Sequence, residues 1–219
     1  MRSVDCSLLT DGASDEALVH VLRWLLPQCV PNTAVNCAWA DLRLLRSAPR
    51  TLSERILRAA ELYPCDILFI HRDAEGQNPE RRYDEIRSAV ASVETRATRL
   101  PLVCIVPVRM TEAWLLSDAT AIRRAAGNPN GTMKLDIPTI SRLEQLSDPK
   151  ALLHELLEIA SGLHGRHLKG FLPATKARLV AAYTRDFSCL RSLPAFRRLE
   201  DDTKQTTARF LPTDPGPKA

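Results

Sequence analysis

Three ionisable side chains follow a short apolar run near the middle of the chain. Residues 67–70 (Ile-Leu-Phe-Ile) are all apolar, as in a fully buried strand, and His71, Asp73 and Glu75 come directly after them. Asp73 and Glu75 are two apart, so in an extended segment their carboxylates point the same way. Neighbouring carboxylates repel each other unless a cation or a proton relieves the repulsion. This pattern indicates either a site for Mg²⁺ (or Mn²⁺) or a solvated turn.

A second pair of acids follows the first predicted strand. Residues 4–10 are predicted to form a short first strand that ends at Asp11, and Asp15 comes one helical turn later. Ligands of open α/β sheets bind beyond the carboxyl ends of the strands. If the two strands are parallel neighbours, Asp11 and Asp15 reach the same edge as Asp73 and Glu75. We therefore predict that Asp11, Asp73 and Glu75 hold the ion, with Asp15 as a further or second-ion ligand.

Several other residues near the predicted strand ends have two interpretations. Glu112 follows the last strand and is either a ligand or general base, or a solvated residue of its own short helix. His71 is either a general base or an outer-shell partner of the ion, or a structural histidine. We expect Trp114 to pack in the core and Asp118 to cap a helix.

Five basic residues are candidates for contact with a phosphate backbone. Arg72 and Arg109 each follow a predicted strand, and Arg166, His167 and Lys169 lie in a basic, glycine-containing segment that is expected to be a flexible loop. Phosphate contacts come chiefly from such side chains, although exposed cations are commonly just solvated.

The elements that position these residues alternate between strand and helix. Strands are predicted at 4–10, 33–40, 67–70 and 102–108, and helical spacing of apolar residues lies between them. Ser14 is expected to cap the first helix and Pro27 to end it, and a long helix is expected from Pro79 to about Thr98. The fold class is α/β, a parallel sheet of about four strands with an α-helical C-terminal extension. We expect an α/β domain at 1–127, a helical extension at 128–210 and a disordered tail at 211–219.

Charge, cysteine content and apolar runs limit the partners and the cellular location that we expect for this chain. The chain has 219 residues, with 30 basic against 26 acidic side chains and a net charge of +4, which is compatible with nucleic acid as a partner but does not demonstrate it. Six cysteines occur without a CxxC pair, so we expect reduced core thiols, no zinc and a cytoplasmic location. No leader is expected at the start, and no apolar run approaches the roughly 18 residues of a membrane span.

The spacing of the acids resembles the TOPRIM domain, the metal-binding domain of topoisomerases, primases, OLD-type nucleases and small ribosomal-RNA maturases. In that family a Glu after the first strand and an Asp-x-Asp after the third collect Mg²⁺. Asp11 stands where the family has Glu, and Asp73 and Glu75 stand where it has Asp-x-Asp. The first acid is therefore shorter than usual and the last is longer.

A wider resemblance covers most of the chain. Segments 106–127, 147–157 and 190–200 resemble the bacterial TOPRIM-like domain-of-unknown-function family 4276, and its most specific mark is Thr-Glu-Ala-Trp-Leu-Leu-x-Asp at 111–118. By analogy with OLD-type nucleases, the resemblance implies an ATPase partner and a role in phage defence.

Two classes of function follow from these patterns. The first is a Mg²⁺-dependent nuclease or phosphoryl-transfer subunit that acts on DNA or RNA. The second is a non-catalytic TOPRIM-like module that docks an ATPase or nucleic acid, its substituted acids marking a weakened site. A metal on carboxylates does not choose its phosphate ester, so a small-molecule phosphohydrolase or a nucleotide-binding protein is a third option.

Overall fold

A four-stranded parallel sheet organises the chain. The structure is a computed structural model that describes residues 3–93 and 100–211. The strands are β1 (Ser3–Leu9), β2 (Ala34–Trp39), β3 (Ile67–His71) and β4 (Leu102–Ile105), in the order β2-β1-β3-β4. All three neighbouring pairs are parallel. The predicted fold class, an α/β sheet with helices on its faces and at the C-terminus, is confirmed.

The strand order reverses direction between β1 and β3. The chain moves from β1 to β2 on one side, and then returns to place β3 on the other side of β1. Open α/β sheets bind ligands at this kind of switch point, beyond the carboxyl ends of the strands. Leu9 pairs with Ile70, so the segments that begin at Thr10 and His71 leave the sheet side by side.

Helices cover both faces of the sheet and form the C-terminal part. Their bounds are α1 (Leu18–Cys29), α2 (Leu52–Leu62), α3 (Glu80–Ala91), α4 (Glu112–Leu115), α5 (Ala119–Ala125), α6 (Pro149–Ser161), α7 (Gly165–Lys169), α8 (Pro173–Tyr183) and α9 (Pro194–Thr207). Asp118 caps α5 by accepting hydrogen bonds from two backbone N–H groups, as predicted. The basic segment that was expected to be a loop contains the short helix α7 instead.

Two predicted helix boundaries near the N-terminus are wrong. A 3₁₀ turn at Ser14–Ala17 precedes α1, and Ser14 makes no cap. Pro27 lies inside the last turn of α1, which continues to Cys29. Proline at this position removes only one backbone N–H donor near the end of the helix. The Val30 N–H still donates to the Leu26 carbonyl and completes the last turn.

Other predicted boundaries fall at the edge of the described residues. Helix α3 ends at Ala91, and its expected end near Thr98 lies outside the described part of the chain. Of the predicted tail, only Leu211 lies within it.

The core lies on both faces of the sheet. One cluster joins β1 and β3 with α1 and with the C-terminal helices, and a second joins the opposite face with α2 and α3. Trp114 is fully buried in the first cluster, 5.2 Å from Phe196 between ring centroids, so its predicted core role is confirmed. The sheet and the C-terminal helices share this cluster, and the division at residue 127 stays a prediction.

The cysteines differ from expectation in one respect. Cys6 and Cys37 form a disulfide, whereas all six thiols were predicted to be reduced. The two residues are direct partners in the β1/β2 register, with Cα atoms 4.8 Å apart. The absence of a CxxC pair does not reveal this proximity, because it arises from strand pairing and not from sequence spacing. Cys29, Cys65, Cys104 and Cys189 are free.

None of the helices in 3–93 and 100–211 combines the length and apolar character needed to cross a bilayer.

Candidate metal centre

Asp15, His71 and Asp73 meet at the switch point of the sheet. One ligand atom from each lies within 4.8 Å of the others. His71 ends β3 and is buried; its Nε2 is 3.0 Å from Asp73 Oδ1, and its Nδ1 is 3.7 Å from Asp15 Oδ2. The imidazole therefore lies between two carboxylates, and one of these, Asp15, is also buried.

Backbone and side-chain donors fix the two carboxylates in place. The Gly12 N–H donates to Asp15 Oδ2 at 3.1 Å, which folds the loop after β1 back onto the cluster. The Thr111 N–H donates to Asp73 Oδ1 at 3.1 Å, from the loop after β4. Three strand ends thus contribute to one site.

Thr111 is the residue that sequence reasoning missed. It stands at the N-terminus of α4 but makes no side-chain cap there. Its hydroxyl lies 3.2 Å from His71 Nε2, and the whole residue is buried. The only sequence signal was its place at the start of the Thr-Glu-Ala-Trp motif.

Burial and neighbouring charge shift the pKa values of the cluster. Burial raises the pKa of Asp15, and the charge of Asp73 adds to this while His71 opposes it. Burial opposes a charge on His71, but the hydrogen bond with Asp73 and the charges of Asp73, Asp15 and Asp11 outweigh it, so the pKa of the imidazole is raised. Each of these groups favours holding a proton when no other cation is present.

One buried atom of the cluster has no hydrogen-bond partner. His71 Nδ1 is fully enclosed and faces Asp15 at a distance too long for a hydrogen bond. Nε2 can donate to Asp73, which leaves the Nδ1 lone pair free in that tautomer.

Asp11 was predicted as the first metal ligand, but the structure surrounds it with arginines. Its Oδ1 is 2.9 Å from Arg55 Nη1, and its Oδ2 is 2.7 Å from Arg72 Nε. Arg55 also donates to the Thr10 carbonyl. The group of ligand atoms within 4.8 Å contains Asp15 instead, so Asp15 is the acid that the first loop brings to His71 and Asp73.

Glu75 also lies outside this group, and its backbone explains why. Strand β3 ends at His71, and Glu75 has a left-handed backbone with φ 53°, so the extended geometry assumed for Asp73 and Glu75 does not hold. Its side chain is 63% exposed and pairs with Arg82 at 3.2 Å. Arg72 and Arg82 each form an ion pair with Glu85. This acid therefore connects the arginine that pairs with Asp11 to the arginine that pairs with Glu75.

Glu112 lies buried at the start of α4. Its carboxylate is 3.8 Å from Lys150 Nζ, and burial raises its pKa, opposed by Lys150 and assisted by the charges of Asp73 and Asp15. The predicted solvated role for Glu112 does not fit this burial.

The predicted phosphate-binding residues lie in different surroundings. Arg72 is engaged with Asp11 and Glu85, and Arg109 packs over Gly76. Arg166, His167 and Lys169 are exposed on α7; within the described residues they form no ion pair or hydrogen bond with the acids of the cluster.

Comparisons with protein-family models, with curated proteins and with solved structures found no match to this chain. The resemblance to TOPRIM-like proteins therefore rests on the motifs alone.

Proposed function

We propose that this protein is a metal-dependent nuclease or phosphoryl-transfer subunit that acts on nucleic acid. The observation that carries the proposal is the meeting of Asp15, His71 and Asp73 within 4.8 Å at the switch point of a parallel sheet. The TOPRIM-like resemblance adds a phage-defence role beside an ATPase, and this part of the proposal depends on the motifs only.

The donor set fits a divalent ion. Asp15 and Asp73 supply oxygens, and His71 supplies a ring nitrogen, with one ligand atom of each residue within 4.8 Å of the others. Mg²⁺ prefers oxygen ligands, whereas Mn²⁺ also accepts imidazole, so the histidine favours Mn²⁺ over the Mg²⁺ predicted first. Thr111 would hold His71 and Asp73 in the required orientation.

A bound ion would orient a water for attack on phosphorus and neutralise charge on the phosphate oxygens. Glu112 is the group assigned to the accompanying proton transfer, because it is buried at the start of α4 and this burial raises the pKa of its carboxyl. The arginines that hold Asp11 lie beside the cluster and provide positive charge near an incoming phosphate.

A cleavage assay tests this proposal. Purified protein is incubated with labelled single- and double-stranded DNA and RNA in Mn²⁺, in Mg²⁺ and in EDTA. Cleavage is expected in metal only and is expected to disappear in Asp73→Ala, while the control Glu155→Ala, an exposed acid on α6, cleaves like the wild type. Equal cleavage by Asp73→Ala, with an unchanged circular dichroism spectrum in both variants, would place the chemistry elsewhere.

A second candidate function is a non-catalytic module that docks an ATPase or nucleic acid. The observation that favours it is that Asp11 and Glu75 are already neutralised by arginines, while a protonated His71 could take the place of a cation between Asp15 and Asp73. This module would bind neither Mn²⁺ nor Mg²⁺ at millimolar concentration. Binding of a partner ATPase with no cleavage in any metal would support it.

A further inference from the structure

A cavity of about 260 Å³ opens beside the candidate metal centre, at the carboxyl ends of β1 and β2. It is lined by the loop after β1, the loop after β2 and the first turns of α2. Gly12 lies on its wall, and the Gly12 N–H is bonded to Asp15 of the cluster. A ligand in this cavity would therefore lie next to an ion held by Asp15.

The charge of the cavity wall favours an anion. Three arginines, Arg43, Arg50 and Arg55, line it against two aspartates, Asp11 and Asp41, so the wall carries a net formal charge of +1. Arg55 is fixed by Asp11, and Arg50 is exposed at the entry to α2. Arginine guanidinium groups of this kind bind phosphate oxygens with paired N–H donors.

The same wall contains a planar stacking surface. The Arg43 guanidinium lies over the Trp39 ring, 4.7 Å from its centroid. Asp41 holds that guanidinium by two contacts, from Nε at 2.7 Å and from Nη2 at 2.8 Å. Trp39 in turn is anchored by its Nε1–H, which donates to Thr10 Oγ1 at 3.0 Å.

Trp39 covers one side of the Arg43 guanidinium, and the side chain as a whole stays exposed. The Arg43 side chain is 58% exposed although its head group is held in place. Unpaired bases stack on guanidinium planes and aromatic rings, whereas paired bases inside a duplex cannot reach a recessed wall.

We propose that this cavity binds one nucleotide of a single-stranded nucleic acid, next to the phosphate that the ion would hold. The base stacks on Arg43, and its phosphate contacts Arg50 and Arg55. This subsite deepens the proposed nuclease function, and rests on it, by naming single strands as the substrate class.

The test measures strand binding without any metal. Fluorescence anisotropy of short labelled DNA and RNA single strands is recorded in EDTA for the wild type and for single-arginine variants. Arg43→Ala is expected to weaken binding roughly 5- to 150-fold, the range for loss of one stacked base. Arg43→Lys keeps the charge but not the plane, so it is expected to weaken binding as well.

Arg50→Ala probes the phosphate contact. It is expected to lower the slope of log affinity against log salt by about 0.7, the value for one phosphate contact on a single strand. The matched control is Arg46→Ala, an exposed arginine of the same segment that does not line the cavity. This control is expected to bind like the wild type.

Each contrary result overturns the subsite. Equal losses in Arg46→Ala and Arg50→Ala would show a diffuse basic surface, and wild-type binding by Arg43→Lys would exclude stacking. If duplexes or free mononucleotides bound as tightly as single strands, the cavity would not be a site for single-stranded nucleic acid. Because EDTA removes any ion, these results report on the cavity alone, whereas Mn²⁺ titration of the wild type reports on the proposed function alone.

Discussion

Two groups of acids lie at the same edge of the sheet and are neutralised in opposite ways. Asp11 and Glu75 have side chains that are 39% and 63% exposed, and arginines hold both of them. Asp15 and Asp73 are more enclosed, at 6% and 25%, and share a single imidazole. The first group is balanced without an ion, whereas the second needs either a proton or a metal.

The difference shows how position decides the role of a carboxylate. Exposed ion pairs contribute little to stability, because water already screens the charges. An enclosed carboxylate loses that solvation, and this burial raises the pKa of Asp15. A functional site is therefore expected where the charge stays incompletely satisfied, not where acids are simply most numerous.

The largest expected effect separates the two acids of the first loop. Asp15→Asn removes a ligand of the proposed ion, so metal-dependent cleavage is expected to fall by more than the roughly 10–100-fold that loss of an outer-shell partner costs. Asp11→Asn removes only an arginine partner and is expected to retain most of the activity. Initial cleavage rates in Mn²⁺ for both variants check this. A larger loss in Asp11→Asn would return the ligand role to Asp11.

A smaller effect is expected at Thr111. Thr111→Val keeps the shape and the backbone N–H that binds Asp73, but loses the hydroxyl beside His71. Mn²⁺ affinity is expected to fall about 10–100-fold, as for other residues that orient a ligand. Thr111→Ser keeps the hydroxyl and serves as the control. Equal affinity of the valine variant and the wild type would make Thr111 a packing residue only.

The pH dependence of stability tests the protonated cluster. Because the pKa of His71 is raised above its ordinary value of 6.5, the folded metal-free protein binds this proton more tightly than the unfolded chain. The resulting stability is fully present below about pH 6.5 and is lost as pH rises through the folded pKa. The raised pKa values of Asp15 and Glu112 act in the same direction, starting from lower pH.

Melting temperatures recorded from pH 6 upward in EDTA are therefore expected to fall, and His71→Gln is expected to flatten this part of the curve. Added Mn²⁺ competes with the proton, so its stabilising effect is expected to grow as pH rises. A stability that is independent of pH in the wild type, or equally dependent in His71→Gln, would show that His71 is not the titrating group.

The smallest effect is expected in the arginine-held group. Glu75→Gln breaks an exposed pair with Arg82, so the free energy of unfolding is expected to change by less than about 1 kcal/mol. Mn²⁺ affinity is expected to stay at the wild-type value. Urea denaturation and metal titration measure the two quantities. Loss of Mn²⁺ affinity in Glu75→Gln would show that the two groups of acids form a single metal site.

The fold was predictable from sequence for a physical reason. Apolar runs such as 67–70 mark buried parallel strands, and polar clusters mark their ends, so the strands and the edge of the candidate site follow from local patterns. Asp15, His71 and Asp73 were all among the predicted site residues. Which acid of the first loop turns inward depends on the 3₁₀ turn at Ser14–Ala17, and that turn carries no distinct sequence signal.

The features that sequence reasoning missed depend mainly on contacts between residues that are far apart in the chain. Thr111 meets His71 across 40 residues, and Arg55 meets Asp11 across 44. The Cys6–Cys37 bond likewise depends on strand register rather than spacing. The left-handed backbone at Glu75 could not be anticipated, because glutamate rarely adopts it.

The central claim is that Asp15, His71 and Asp73 hold a divalent ion. Isothermal titration of the purified protein with Mn²⁺ at pH 8 tests it directly, because a higher pH disfavours the proton on His71 with which the ion competes. The account predicts one ion bound per chain in the wild type, and no binding in Asp73→Asn, with Glu75→Gln unchanged. Absence of binding in the wild type, or equal binding in Asp73→Asn, would contradict it.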